Sequence, residues 1–167
     1  MAYDYSGLIG KSVKLDRGGP ESRHGIVLAV GDDYLVLLHE KEGVLYYSTQ
    51  HIKSITVNSK DAPMTAAEDT AAAPVNFINP KSFAEVMNSH ARRWVQINRG
   101  GPESIQGVMT ESTPDYTTMV VNHELITMMN YHIRSMGITL KNDENKKEEE
   151  NKNDANKNEN KNDKNKK

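Results

Sequence analysis

The residue types with chemical potential in this chain are six histidines, two repeated serines, a repeated glycine pair, and several tyrosines with one tryptophan. His24, His39, His51, His90, His123 and His132 form no i, i+4 pair, and the chain has no cysteine. Zinc sites gather their N and S ligands at short characteristic spacings, so no metal site is expected. The lack of cysteine also removes disulfides and thiolate nucleophiles, and it leaves the redox compartment unreadable. Only His51 and His132 recur at equivalent places, each just before an isoleucine. A hydrogen-bonded histidine that fixes a local turn is the expectation for both. Ser22 and Ser104 lack the Gly-x-Ser-x-Gly elbow of a serine nucleophile. Asp32, Asp33, Glu111 and Asp115 read as turn acids, and no carboxylate pair recurs in an acid and base arrangement. Neither catalysis nor a cofactor is expected.

The glycine pair belongs to a longer identity. Arg17, Gly18, Gly19, Pro20, Glu21 and Ser22 recur letter for letter as Arg99, Gly100, Gly101, Pro102, Glu103 and Ser104. Phosphate-cradling loops place glycines before a helix, whereas here a proline without an amide follows them and a strand pattern comes next. The structural reading is a rigid, specifically shaped turn, with Arg17 and Glu21 pairing across it. The functional reading makes all twelve residues candidates for an interaction loop displayed twice. On that reading, replacing Arg17 and Arg99 together by alanine leaves stability within about 1 kcal/mol and impairs assembly. Tyr46, Tyr47, Tyr131 and Trp94 are the kind of side chain that stacks bases, and equally the kind that packs a small barrel.

The same spacing aligns Val13 with Val95, Gly25 with Gly107 and Tyr34 with Tyr116. After one deletion, the run from His51 to Ile55 faces that from His132 to Met136. In the first copy, Val13 and Leu15 alternate with polar neighbours, and apolar runs follow at 26–30, 34–38, 44–47 and 52–57. Five short strands are expected, with a hairpin closed by Gly43 at positive φ and a single 3₁₀ turn at Thr49, Gln50 and His51. In the second copy Asn79 is read as a cap, Pro80 suits the first turn of a helix, and Ser82 with Glu85 makes a capping-box pattern. Phe83, Val86, Met87 and Ala91 share one face of that helix, which should lie across its own barrel near Trp94. Residues 3–9 take the helix's place in the first copy, as a shorter or irregular cap.

The expected fold is all-β: two tandem five-stranded Sm-like or SH3-like barrels, the second preceded by a helix, with a disordered C-terminal tail. The expected boundaries are 1–57, an Ala-rich linker at 58–78, 79–140, and a tail at 141–167. Within that tail every residue except Ala155 is Asn, Lys, Asp or Glu, so nothing there offsets the entropy of ordering. A net charge of −2 and a pI near 6.3 give no electrostatic pull toward nucleic acid or an anionic membrane. The N-terminal residues lack a signal-peptide pattern, and no apolar run is long enough for a membrane helix.

The repeated hexapeptide, the Gly-Asp-Asp-Tyr turn at 31–34, Tyr47 with His51-Ile-Lys-Ser-Ile, and Trp94-Val-Gln-Ile-Asn-Arg-Gly-Gly-Pro-Glu closely resemble spore coat protein B of endospore-forming bacteria. The resemblance covers nearly all of residues 1–140. It implies a structural component of the spore coat, made in the mother-cell cytoplasm and deposited on the forespore. Its implied partners are other spore coat proteins, with self-association through strand edges as a further expectation. Family members commonly carry a Ser, Lys and Arg-rich C-terminal region phosphorylated by a coat-associated kinase. This chain departs there, because residues 141–167 contain no Ser, Thr or Tyr. The alternative from another class is an RNA-binding Sm-like module.

Overall fold

The computed structural model describes residues 3–58 and 75–138. Most of the expected linker and the whole of the expected tail lie outside the described residues. The first copy contributes β1 (Ser12–Leu15), β2 (Arg23–Val30), β3 (Tyr34–His39), β4 (Gly43–Ser48) and β5 (Ile55–Val57). A helix α1 (Phe83–Ser89) then precedes β6 (Trp94–Ile97), β7 (Ile105–Ser112), β8 (Tyr116–Val121), β9 (Glu124–Met129) and β10 (Ser135–Ile138). One-turn 3₁₀ helices at Thr49–His51 and Asn130–His132 precede the last strand of each copy, and Gly43 closes its hairpin at φ 73°. The equivalent hairpin of copy two is one residue shorter and carries Asn122 and His123 at φ 47° and 71°, the mirror-image turn that suits strand twist.

The five strands of each copy follow one order, last, first, second, third, fourth, but they do not stop at the copy boundary. All ten join in one antiparallel sheet of order β5-β1-β2-β3-β4-β10-β6-β7-β8-β9. In place of the expected two separate five-stranded barrels, whose mutual packing the sequence left open, the copies share this continuous sheet. The physical reason is that β4 and β10 would each present unpaired backbone groups at an edge, and pairing them satisfies both. The register places Leu45, Tyr46 and Tyr47 opposite Gly137, Met136 and Ser135. Duplicated bulges, between Val27 and Ala29 and between Met109 and Glu111, bend β2 and β7 at equivalent places.

The sheet carries two hydrophobic clusters. One gathers Val13, Leu15, Val27, Leu35, Leu37, Leu45 and Tyr47 beneath Leu8, which the short 3₁₀ turn Ser6–Leu8 brings in as a cap. The other takes the opposite face of copy one, through Ala29, Tyr34, Val36 and Tyr46, and packs it with α1 and the interior of copy two. The apolar run from Tyr34 to Leu37 has no alternation because β3 is buried on both faces.

The helix is capped by Ser82, whose Oγ accepts from Glu85 N at 3.3 Å, and the returning Glu85 carboxylate accepts from Lys81 N at 3.0 Å. Asn79 is not the cap, because its Oδ1 accepts from the Tyr34 hydroxyl at 2.8 Å. The helix also reaches beyond its own copy. Asp33 Oδ1 accepts from Phe83 N at 2.7 Å, and Asp32 N donates to Lys81 O at 2.8 Å, so the turn acids of copy one hold the helix start of copy two. Phe83, Val86 and Met87 are buried as expected, while Ala91 lies past the helix end and is only partly covered.

Candidate functional site

The two Arg-Gly-Gly-Pro-Glu-Ser segments connect β1 to β2 and β6 to β7, and they fold alike. Each begins after a residue in the left-handed region, Asp16 at φ 52° and Asn98 at φ 53°, side chains that tolerate that conformation. Gly19 and Gly101 take φ 91° and 84°, which restricts those places to glycine. Ser22 and Ser104 close the turn twice. Their amides donate to Gly19 O and Gly101 O at 3.1 and 3.2 Å, and their hydroxyls donate to Asp16 O and Asn98 O at 2.7 and 2.9 Å. Asp16 and Asn98 in turn fix the start of the last strand, their Oδ1 atoms accepting from Lys53 N and Arg134 N at 2.8 Å in both copies. These two residues were not among the sequence candidates. The signal was a short Asx side chain in equivalent register immediately before each motif.

What the loops touch is entirely different. Glu21 is 6% exposed and lies at the junction of the copies, where its Oε1 accepts from Arg99 N at 2.6 Å and its Oε2 from Ser135 Oγ at 2.7 Å. Its carbonyl accepts from the buried Tyr47 hydroxyl at 3.1 Å. Burial, and then the nearby Glu21 carboxylate, push that hydroxyl's pKa up, so it remains a donor. Glu103, at the same motif position, is exposed. The arginines invert this pattern, Arg17 being exposed and the Arg99 side chain only 5% exposed. Arg17 and Glu21 do not pair across their turn, because Glu21 is turned into the junction. Arg99 lies over β10, donates from Nη1 to Gln96 Oε1 at 2.5 Å, and stands 3.5 Å from Glu42. A Cβ on Gly137 would fall 1.8 Å from Arg99 Nη2, so the strand is bare where the guanidinium crosses it. The loops themselves meet where Pro20 packs against Gly100, with no room there for a side chain.

Glu42 lies in the hairpin of copy one, which is one residue longer than its counterpart. It accepts from Arg23 Nε at 3.0 Å and faces Arg99, so it ties both arginines to the junction. Burial raises its pKa, but the Arg23 hydrogen bond and the Arg99 charge outweigh this and hold it below the usual value. Burial depresses the Arg99 pKa, against the pull of Glu42. Because Arg99 is buried and Arg17 is not, equal tolerance of alanine at both positions is no longer expected.

His51 does not brace its own 3₁₀ turn; its Nε2 donates to Tyr131 O at 2.6 Å, in the equivalent turn of copy two. His132 is exposed and makes an edge contact with the Tyr131 ring. Tyr46 and Tyr47 are buried, Tyr46 exchanging hydrogen bonds with the backbone of Ile78, so neither offers a face to a base. Ser22 and Ser104 spend their hydroxyls on backbone. Among the described residues, no three His, Asp or Glu side chains converge on one point. No described helix is long and apolar enough to cross a membrane.

A cleft of about 640 Å³ opens beside the junction. It is walled by Glu103, Pro102, the end of β9 from Ile126 to Met129, and His132. Glu21 and His51 border it from the side of copy one.

The chain is 38% identical over 144 residues to spore coat protein B of Bacillus subtilis strain 168, a match covering 86% of this chain and 37% of that protein. The chain therefore spans little more than a third of the length of the curated relative it matches. No family model matches, and no solved structure matches.

Proposed function

The chain belongs to the spore coat protein B family, and from that premise we propose that it is a structural building block of the endospore coat, acting through protein–protein contacts without catalysis. Its place is the spore coat, as for the relative it resembles. The observation that carries the assembly reading is the junction between the copies. There, two strand edges and two copies of one loop form an interface whose parts are all duplicated in the chain. The strand order within each copy suits a small Sm-like or SH3-like unit, and joining such units edge to edge suits a layered material. Other coat proteins are the proposed partners, met through the exposed loop of copy two and the outer strands. The 141–167 segment itself offers no hydroxyl to a coat-associated kinase.

Fractionating purified spores and blotting for the protein tests the role. Recovery in the coat extract is expected, and recovery only in the mother-cell cytosol or spore core overturns it. A gel shift with single-stranded RNA tests the alternative class. No shift at near-physiological salt is expected, whereas tight binding that weakens steeply with salt would replace the structural role with an RNA-binding one.

A further inference from the structure

The internal junction uses one edge of each copy, and the equivalent edges remain open. In copy one β4 is covered by β10, while its equivalent β9 ends the sheet. In copy two β10 is covered by β4, while its equivalent β5 ends the sheet at the other side. Among the described residues, therefore, one acceptor edge and one donor edge of a contact that the molecule already makes within itself stay unfilled. We infer that a second copy of this chain docks head to tail, its β5 pairing antiparallel with β9 and its Arg17 and Ser54 meeting Glu103 as Arg99 and Ser135 meet Glu21. This deepens the coat-assembly reading and rests on it for its biological setting, although the contact itself is a property of the purified chain.

Four observations commit the edge to this occupant. The register follows from the internal one: Leu45, Tyr46 and Tyr47 face Gly137, Met136 and Ser135, so Ile126, Thr127 and Met128 face Thr56, Ile55 and Ser54 of the next chain. The donor side is basic at equivalent places, Arg17 for Arg99 and Lys53 for Arg134, and the acceptor side keeps its acid, Glu103 for Glu21. The backbone bond from Ser48 N to Arg134 O at 3.0 Å has its counterpart ready in Met129 N and Lys53 O. Finally, the residues that copy two covers in copy one, namely Glu21, β4 and His51, correspond to Glu103, β9 and His132, and these wall the open cleft of about 640 Å³.

The rim of that edge exposes Leu125, Met129 and Tyr131, large apolar side chains that the next chain covers. The two contacts share a backbone register but differ in side chains: Met128 stands where Tyr47 donates to Glu21 O, and the β8–β9 hairpin is one residue shorter than the one that carries Glu42. Thr56 carries a Cβ where Gly137 has none, so Arg17 cannot lie flat across β5 and stays at the rim, on the side of Glu124 in the β8–β9 hairpin. The contact is heterologous, so repeating it closes a ring or extends a filament, according to the rotation between units.

The absence of native cysteine makes the register testable by cross-linking. A chain with Thr127→Cys is mixed with a chain carrying Ile55→Cys and oxidised. Directly opposed Cβ atoms in an antiparallel pair lie about 4.5 to 5.5 Å apart, within reach of a disulfide after small adjustment. The expected product is the mixed 127–55 dimer, at least tenfold above either homodimer, and a chain bearing both cysteines should give a ladder. A dominant 127–127 product indicates a twofold β9–β9 pairing and overturns the inference, as does cross-linking no faster than with Thr127→Cys and Glu40→Cys. Sedimentation velocity gives an independent reading. The unmodified chain should associate with concentration and Glu103→Arg, an exposed change, should stay monomeric with an unaltered circular dichroism spectrum. A monomeric wild type at several hundred micromolar overturns it too. Either failure leaves coat residence intact, because spore fractionation reads that separately.

Discussion

Replacing Glu21 by alanine should destabilise the fold severely, while the same change at Glu103 should be nearly silent. The two residues occupy one position of an identical hexapeptide, so local sequence predicts equal effects. The environments predict otherwise. Glu21 is 6% exposed and accepts from Arg99 N at 2.6 Å and from Ser135 Oγ at 2.7 Å. Hydrogen bonds to a charged group contribute about 1.5–3 kcal/mol each, and alanine would leave two donors in the junction without an acceptor. A loss of about 3–5 kcal/mol follows for Glu21→Ala, in the range found when one partner of a buried charged network is removed. Exposed Glu103 has no such role within the chain, so Glu103→Ala should fall within about 0.5 kcal/mol. Glu21→Gln keeps one acceptor and should fall between them. Urea unfolding followed by circular dichroism measures this directly. With a slope of about 2 kcal/mol per molar, the Glu21→Ala midpoint should drop by about 1.5–2.5 M. Equal midpoints for the Glu21 and Glu103 variants would refute the asymmetric use of the two loops.

The arginines should show the opposite bias between copies: Arg99→Ala removes a buried guanidinium from Glu42 and should cost about 2–4 kcal/mol, while Arg17→Ala should cost under about 0.5, both read by the same unfolding assay. Tyr34→Phe removes a hydroxyl that donates to Asn79 Oδ1 at 2.8 Å and Pro80 O at 2.5 Å, so it should cost about 1–2 kcal/mol and loosen residues 79–82 to proteolysis. Burial pushes the pKa of that hydroxyl up to about 12, so the effect should not vary between pH 6 and 9. His90 is buried, its Nδ1 donating to Val86 O at 2.7 Å, and burial depresses its pKa. The unfolded histidine therefore takes up a proton near pH 6.5, before the folded one does, so its contribution is present above about pH 6.5 and is lost as pH falls through the lower folded pKa. Thermal melts between pH 4.5 and 8 should show that decline, and His90→Phe should flatten it.

Much of the architecture was legible in the sequence because it rests on local rules. The alternation at Val13 and Leu15, the hairpin glycine at 43 and the turn at Thr49–His51 each state a short-range geometry, and each appears where expected. The unbroken apolar run from Tyr34 was read only as a short strand, and its burial on both faces came from the structure. The strand order beyond one copy was not legible, because the pairing of β4 with β10 depends on which edges meet in space, and both edges read as ordinary strands. The functional asymmetry of the loops is the deeper case. Two identical hexapeptides carry the same turn, but whether Glu21 or Glu103 is buried depends on a partner surface supplied 78 and 114 residues away, by Arg99 and Ser135. The capping box of Ser82 and Glu85 was legible because it too is a local pattern, whereas Asn79 was not free to cap, since Tyr34 from the other copy claims its oxygen.

Residue-resolved amide exchange on the dilute, monomeric chain tests the joined sheet and its unequal edges most directly. Ser48 N donates to Arg134 O at 3.0 Å across the junction, while Met129, its equivalent in copy two, lies on the outer edge of β9. The account predicts strong protection at Ser48 and rapid exchange at Met129. Rapid exchange at Ser48, matching Met129, would mean that β4 and β10 do not pair in solution and would contradict the account at its centre.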